Sequence, residues 1–411
     1  MRPTHQIAET DRRRLGTLAA AARAELERLA IFWLALADKT NGGHFSFVDN
    51  DGHIDRKRPR STIFVARILW TLSAIDGVAG SPESRAQAES AYRFLTRRLI
   101  DRWFGGFYWA VSPRGGGFRG TDKHTCAQAY GVYALAAFAR MSGNREALAT
   151  ALATFRLLER RALTPTGYTE AFSRLWRPIE NRRMKVSGIV GARTVNTHIH
   201  ILEAYTELYL ASGDPTIGVA LSRLLRLIVD RFPTPAGDRL WPIFDDEMTP
   251  LGGPVSYGHD IESSWLIAAA ADALGDTELA ADAYRAADRL CRGSLSGRLP
   301  DGSFAQEGDA NGIVDTNRIW WVQAEALSGM IDAFGRSGDL TMLDAAEALW
   351  RYIVAHQLDR EGGEWFERVS LNGEPVPGPR VTVWKEPYHQ ARACLKVIEC
   401  ADRLGAATPH A

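Results

Sequence analysis

The feature that most constrains how this chain can fold is a period. "GGHFSFVDNDGH" begins at Gly42, "GGFYWAVSPRGG" at Gly105 and "GGEWFERVSLNG" at Gly362. Each has a Gly-Gly entry, a short aromatic or β-branched run and a turn built from Gly, Asn, Asp or Pro, which is the pattern of a small hairpin. Weaker copies start at Gly167 ("GYTEAFSRLW"), Gly237 ("GDRLWPIFDD") and Asp301 ("DGSFAQEGDANG"), so successive starts lie 63, 62, 70, 64 and 61 residues apart. Near-constant spacing of this kind signals a repeat architecture.

Each interval has room for two helices of different character. "STIFVARILWTLSAI" after the first hairpin is apolar nearly all round and predicts a buried helix. "ESRAQAESAYRFLTRRLIDRW" places Tyr92, Leu95, Leu99 and Trp103 on one stripe and predicts a surface helix. The same order recurs at 122–140 and 145–161, 194–212 and 215–232, 259–275 and 277–293, and 317–335 and 341–357. The last hairpin is followed by a single helix at about 386–404, whose partner is the amphipathic segment at about 10–38. Twelve helices in six pairs, with the termini completing one pair, describe a closed ring. The expected fold is all-α, an (α/α)6 barrel with short β-hairpins at the inner-helix N-terminal end, and residues 1–411 form one catalytic domain.

Bulk properties narrow the function classes. The chain has 49 basic and 49 acidic residues, so no net field draws it to nucleic acid or an anionic membrane. No apolar run approaches the ~18 residues of a membrane span. Cys126, Cys291, Cys394 and Cys400 lack CxxC or zinc-ligand spacing and read as reduced thiols. With no apolar leader in "MRPTHQIAETDRRRLG", the expected compartment is cytoplasmic. No cofactor or metal is expected, since GxGxxG and P-loop patterns are missing; oligomeric state is not implied.

In a closed barrel, polar residues early in the inner helices converge on one pocket. Arg67 is the only charge between Ile63 and Ile75 and needs a counter-ion or a polar cavity. The second inner helix offers Gln128 and Tyr130. In "VNTHIHILEAYTEL", Asn196, His200 and Glu203 share a face, whereas His198 and His200 diverge by about 200° and do not form a metal pair. "SYGHDIESSWL" repeats the i,i+3 imidazole and carboxylate with His259 and Glu262. The fifth inner helix brings Trp320, Trp321, Gln323 and Glu325, and the sixth brings Trp384, His389 and Arg392. Aromatic walls with Asn, Gln, Arg and Glu suit a sugar. Histidines on opposite walls suit removal of a proton from one face of a carbon and its return to the other. In this reading Glu262 orients His259, and Arg67 with the remaining histidine stabilises an enediolate oxygen.

"ARILWTLSA", "NTHIHILEAY", "SYGHDIESSWL", "WWVQAEA" and "WKEPYHQARAC" resemble the signature segments of the N-acylglucosamine 2-epimerase superfamily, closest to its cellobiose 2-epimerase branch, over roughly residues 30–405. The resemblance implies ring opening of a reducing-end sugar, C2 proton removal to a cis-enediol and reprotonation on the other face, with a small-molecule sugar as partner. It implies His259 and His389 as the acid/base pair, His200 assisting at O1/O5, and Arg67, Asn196, Glu262 and Trp321 positioning substrate, with Trp384 stacked on it. Tyr130 and Glu325 complete the substrate-binding candidates. Arg60-Ser61, Cys126 and Glu386 depart from the family pattern. The alternatives are a mannose 2-epimerase or mannose/fructose isomerase using the same histidines, an (α/α)6 glycoside hydrolase using carboxylates such as Glu203, Glu262 and Glu325, and a non-catalytic sugar-binding protein.

Overall fold

The computed structural model describes residues 7–114, 118–184 and 188–406. The start of the N-terminal segment read above for a leader, and Gly115 and Gly116 of the second hairpin motif, lie outside them. The chain runs through α1 (Glu9–Ala35), α2 (Thr62–Ala74), α3 (Pro82–Phe94), α4 (Thr125–Ser142), α5 (Arg145–Arg161), α6 (Val195–Ser212), α7 (Pro215–Arg231), α8 (Tyr257–Leu274), α9 (Thr277–Ser294), α10 (Trp320–Ser337), α11 (Leu340–Tyr352) and α12 (Tyr388–Arg403), with a single helical turn at Asp76–Ala79. The even-numbered helices pack in order, α2 on α4, α6, α8, α10, α12 and back on α2, while α1 packs on α12. The expected (α/α)6 ring is therefore closed, with its seam joined by the first and last helices.

Local chemistry explains the alternation. In the inner helix α4 every residue from Thr125 to Ala139 is buried, so no polar face is needed. The step from inner to outer helix is a repeated dipeptide. Gly143, Gly213, Gly275 and Gly338 end α4, α6, α8 and α10 at φ of 71, 64, 67 and 72°, a left-handed conformation that glycine adopts without a Cβ penalty. The next residue, Asn144, Asp214, Asp276 or Asp339, caps the following outer helix with its side-chain oxygen.

The strands do more than the expected isolated hairpins. The dipeptide before each of the first five inner helices pairs with strands from the next repeat: Arg60–Ser61 with Ala110–Val111, Lys123–His124 with Ala171–Phe172, Arg193–Thr194 with Ile243–Phe244, Val255–Ser256 with Glu307–Asp309, and Arg318–Ile319 with Arg368–Val369. A Val48–Val381 bridge closes the series. Buried cations at the same register tie down the turn of the preceding hairpin. Arg60 bonds the Asp38 carboxylate and the Gly42 carbonyl. Lys123 lies 3.2 Å from Asp101 and bonds the Gly105 carbonyl, and Arg318 lies 2.6 Å from Asp301.

One expected stripe is corrected. Trp103 does not continue the surface helix after Phe94. A wide π-type turn at Leu95–Leu99 ends it, Ile100 bridges to Phe107, and the Asp101 carboxylate accepts from the Trp103 amide, leaving Trp103 85% exposed. Among the described residues, no helix is long and apolar enough to cross a membrane.

Candidate active site

Because the strand stitches hold all inner-helix N-termini at one end of the barrel, residues at one helical depth form a ring. The fourth residues of four inner helices look outward and clamp hairpin backbone. Gln128 Oε1 accepts from the Phe107 amide at 2.6 Å, and His198 Nε2 accepts from that of Tyr168 at 3.0 Å. Asp260 Oδ1 accepts from the Leu240 amide at 2.9 Å, and Gln323 Oε1 from that of Phe304 at 2.8 Å. His198 is thus a structural acceptor, and its divergence from His200 is as the helical geometry requires.

Two residues further along, the side chains turn inward. The sixth residues are Arg67, Tyr130, His200, Glu262 and Glu325, joined by Arg392 when α12 is counted from Pro387. They form a bonded floor across the barrel. Arg67 bonds Glu386 and the Tyr130 hydroxyl. The Tyr130 hydroxyl lies 2.9 Å from His200 Nε2, and His200 Nδ1 lies 3.2 Å from Glu203. Glu203 accepts from Tyr388 at 2.6 Å and from Arg392. Arg392 Nη2 donates to Glu262 at 2.5 Å and to Glu325 at 2.7 Å. Glu325 Oε1 is also 2.7 Å from His389 Nδ1, while its Oε2 accepts from Trp265 at 3.0 Å.

Above this floor is a cavity of about 250 Å³ lined by Arg67, Tyr130, Asn196, His200, His259, Glu262, Trp321, Trp384 and His389, together with Cys126, Met184 and Trp320. The catalytic and substrate-binding candidates thus meet in one pocket except Glu325, which stands behind His389; of the other inner-helix polar residues read from the sequence, Gln128 and Gln323 clamp hairpins instead, and Glu203 and Arg392 lie in the floor. Trp321 lies between the two principal histidines, 4.9 Å from the His259 ring and 5.8 Å from that of His389. Gly258 makes this possible, because a Cβ there would meet the Trp321 ring at 2.6 Å. Trp384 stands at the mouth, 39% exposed and 6.0 Å from Trp109.

The expected pairing of Glu262 with His259 is not formed. Glu262 is drawn to the buried guanidinium of Arg392, which is a stronger donor than a neutral ring. Among the described residues the His259 ring makes no hydrogen bond to protein. The pocket histidines that do have carboxylates are His200, with Glu203, and His389, with Glu325. Sequence reasoning also left Glu386 without a role, although Arg67 required a buried partner and Glu386 supplies it.

Electrostatics follow from burial and from these partners. Burial lowers His259 to about 4, helped by His200. It lowers His389 well below its ordinary value, helped by Arg67 and Arg392. Burial would raise Glu203, but Arg392 and His200 outweigh it and hold the carboxyl at about 2. Glu262 is pushed up to about 8 by burial and by Glu325, against Arg392. Burial also raises Glu325 despite Arg392. Both principal histidines are therefore neutral at pH 7, the state a base requires. Oxygen and nitrogen atoms of Glu262, Glu325 and His389 lie within 4.8 Å of one another, as ion ligands do, but here Arg392 supplies the positive charge between the carboxylates.

Residues 43–393 match the N-acylglucosamine 2-epimerase (GlcNAc 2-epimerase) family. A cellobiose 2-epimerase from Ruminococcus albus is 37% identical, covering 92% of this chain and 97% of its own. The solved cellobiose 2-epimerase from Bacillus thermoamylovorans B4167 superposes with a TM-score of 0.89 at 34% identity, over 93% of this chain and 99% of the other. A D-mannose isomerase from Thermobifida fusca is 26% identical over 96% of this chain and 98% of its own. With the closed helical ring and the histidine-lined pocket, these likenesses establish that the chain belongs to the N-acylglucosamine 2-epimerase family and is a carbohydrate epimerase.

Proposed function

We infer that this chain inverts C2 of the reducing-end glucose of a disaccharide of the cellobiose type, giving the glucosyl-mannose epimer. The observation that carries this reading is the pair His259 and His389, presented by α8 and α12 on either flank of α10 and separated by Trp321 over one cavity. The substrate class is supported by the relatives named cellobiose 2-epimerase, and by Trp384 with Trp109 at the mouth, where a second sugar ring would stack. The working unit is the whole chain, residues 1–411, as one domain.

The chemistry runs from the open-chain aldehyde. One histidine takes the C2 proton, and the C2–H electron pair moves into C1–C2 while the carbonyl oxygen becomes an enediolate. Arg67 and His200 neutralise that oxygen, and developing charge is worth most to stabilise in a site shielded from water. Asn196, Tyr130 and Glu262 hold the hydroxyls, and Trp321 holds the apolar face. The second histidine returns a proton to the opposite face of C2. The same intermediate protonated at C1, after O2 loses its proton, gives a ketose, which is the second reading and is favoured by the D-mannose isomerase relative. Hydrolysis is disfavoured because Glu203, Glu262 and Glu325 are all bound to one guanidinium instead of flanking a bond.

The test is product identity. The enzyme is incubated in D2O with cellobiose, with mannose and with glucose, and products are followed by NMR. Glucosyl-mannose bearing deuterium at C2 is the expected result. A ketose as the main product selects the isomerase reading, and glycosidic cleavage without exchange overturns both.

A further inference from the structure

Two neutral histidines pose a chemical difficulty. When one abstracts the C2 proton it becomes an imidazolium, which is ordinary. If the other then donates from a neutral ring with nothing behind it, it becomes an imidazolate, which is far too basic to form at neutral pH. Holding a permanent imidazolium at His389 is no remedy, since that ring would share its surroundings with the guanidiniums of Arg67 and Arg392.

The floor contains a solution. Its hydrogen-bonded network sets two guanidiniums, Arg67 and Arg392, against four carboxyls, Glu203, Glu262, Glu325 and Glu386, all buried. A buried excess of carboxyls over cations retains protons on some of them. Glu262 and Glu325 share a single donor group, Arg392 Nη2, so these two repel each other most directly. The other titratable groups acting on them are Glu203 from α6, His259 from α8 and His389 from α12. Of the Glu325 oxygens, Oε2 is committed as the acceptor of the Trp265 N–H. Oε1 faces His389 Nδ1 at 2.7 Å and accepts from Arg392 Nη2 at 2.7 Å, a bond that a protonated Oε1 keeps as acceptor through its remaining lone pair.

Resting on the two-histidine reading above, we propose that Glu325 is a proton-relay residue behind His389, alternating between carboxylic acid and carboxylate while the imidazole stays neutral. In the donor form Glu325 carries a proton on Oε1, Nδ1 accepts it as a hydrogen bond, and Nε2 bears the hydrogen facing the pocket. Donation breaks Nε2–H and forms C2–H, while Oε1–H breaks and Nδ1–H forms. The imidazole ends neutral with its hydrogen moved to Nδ1, and Glu325 ends as a carboxylate held by Arg392 and Trp265. Abstraction by His389 is the reverse: Nε2 takes the C2 proton and Nδ1 passes its own to Glu325. The positive charge gained by His259 and the negative charge gained by Glu325 balance, and proton exchange with water resets both.

This makes the two histidines unequal, which is what the experiment reads. C2 hydrogen washout into D2O is measured separately from cellobiose and from its mannose-type epimer, using wild type, Glu325→Gln, His259→Ala and His389→Ala. Glutamine still hydrogen-bonds Nδ1 but cannot pass a proton. Glu325→Gln is expected to slow washout from one epimer by at least about 10²-fold, the epimer that His389→Ala also silences, while leaving washout from the other close to wild type. Equal loss for both epimers, or no loss, overturns the relay while leaving the epimerase reading intact. Absence of washout in the wild type with either sugar overturns the epimerase reading itself. Should Glu325→Gln fail to fold, Glu262→Gln serves in its place. Removing the neighbouring carboxyl lets Glu325 ionise more readily, so the alkaline limb of epimerisation moves to lower pH by about one unit. An unmoved limb in a folded Glu262→Gln overturns the relay.

Discussion

His259 and Asp260 are adjacent in sequence and serve opposite ends of the same design. His259 faces the pocket, and its pKa, lowered to about 4 by burial, keeps it a free base well into mildly acidic solution. The acid limb of kcat/KM, read from initial rates across pH, is therefore expected near pH 4 instead of near 6.5, the ordinary histidine value. Asp260 faces away and clamps the Leu240 amide, with its Oδ2 buried, without a hydrogen bond and 3.7 Å from Arg239 Nε. Burial pushes its carboxyl from 3.8 up to about 8. Its folded pKa is raised, so its contribution to stability is whole below pH 4 and is lost as pH rises through 8. Asp260→Asn keeps the Oδ1 acceptor and removes that loss. It is expected to unfold later than wild type at pH 8.5, by about 2 kcal/mol, and to gain little at pH 4, as measured by thermal or urea unfolding at the two pH values. Such division of labour was only half legible. Helical spacing put His259 and Glu262 on one face correctly, but the partner of Glu262 is Arg392, 130 residues away in sequence, and no local spacing announces a competitor from across a barrel.

The repeated element, seen in four of the inner helices, has a clamp at its fourth residue and an inward-facing residue of the floor or pocket at its sixth. Gln128 shows what the clamp does: its amide satisfies both the N–H and the C=O of Phe107. Gln128→Leu orphans both backbone groups and is expected to cost about 1–3 kcal/mol for each that stays dry, measured as a fall in unfolding free energy. Its effect on catalysis should be indirect, since the side chain does not line the cavity. At this scale the sequence was most informative. Helix type and order follow from periodicity, and Arg67, His200 and Glu262 stand out because an apolar helix tolerates a charge only where a polar cavity or partner receives it, but Gln128 and Gln323 were grouped with Tyr130 and Glu325 although they face the hairpins. The strand stitches were missed as inter-repeat pairings, since two-residue strands such as Arg193–Thr194 carry too little pattern to specify a partner. The end of α3 was misjudged for a related reason: a turn such as Leu95–Leu99 keeps the apolar spacing going while the chain is already leaving the helix.

Across the whole molecule, closure is what turns six similar elements into a site. The Val48–Val381 bridge and the packing of α1 on α12 hold the sixth repeat, with Trp384, Glu386 and His389, against the first, with Arg67. Composition foretold none of this, but the termini sharing one pair did. Closure also underlies the proposal that His259 and His389 reach one C2 from different walls and that neither can replace the other. The most direct test is epimerisation of cellobiose in D2O by His259→Ala and His389→Ala, each checked for native circular dichroism. Both variants are expected to lose epimer formation by about 10²–10⁴-fold, the usual contribution of a general acid or base. Either variant forming the C2 epimer at a rate close to wild type would contradict the proposal.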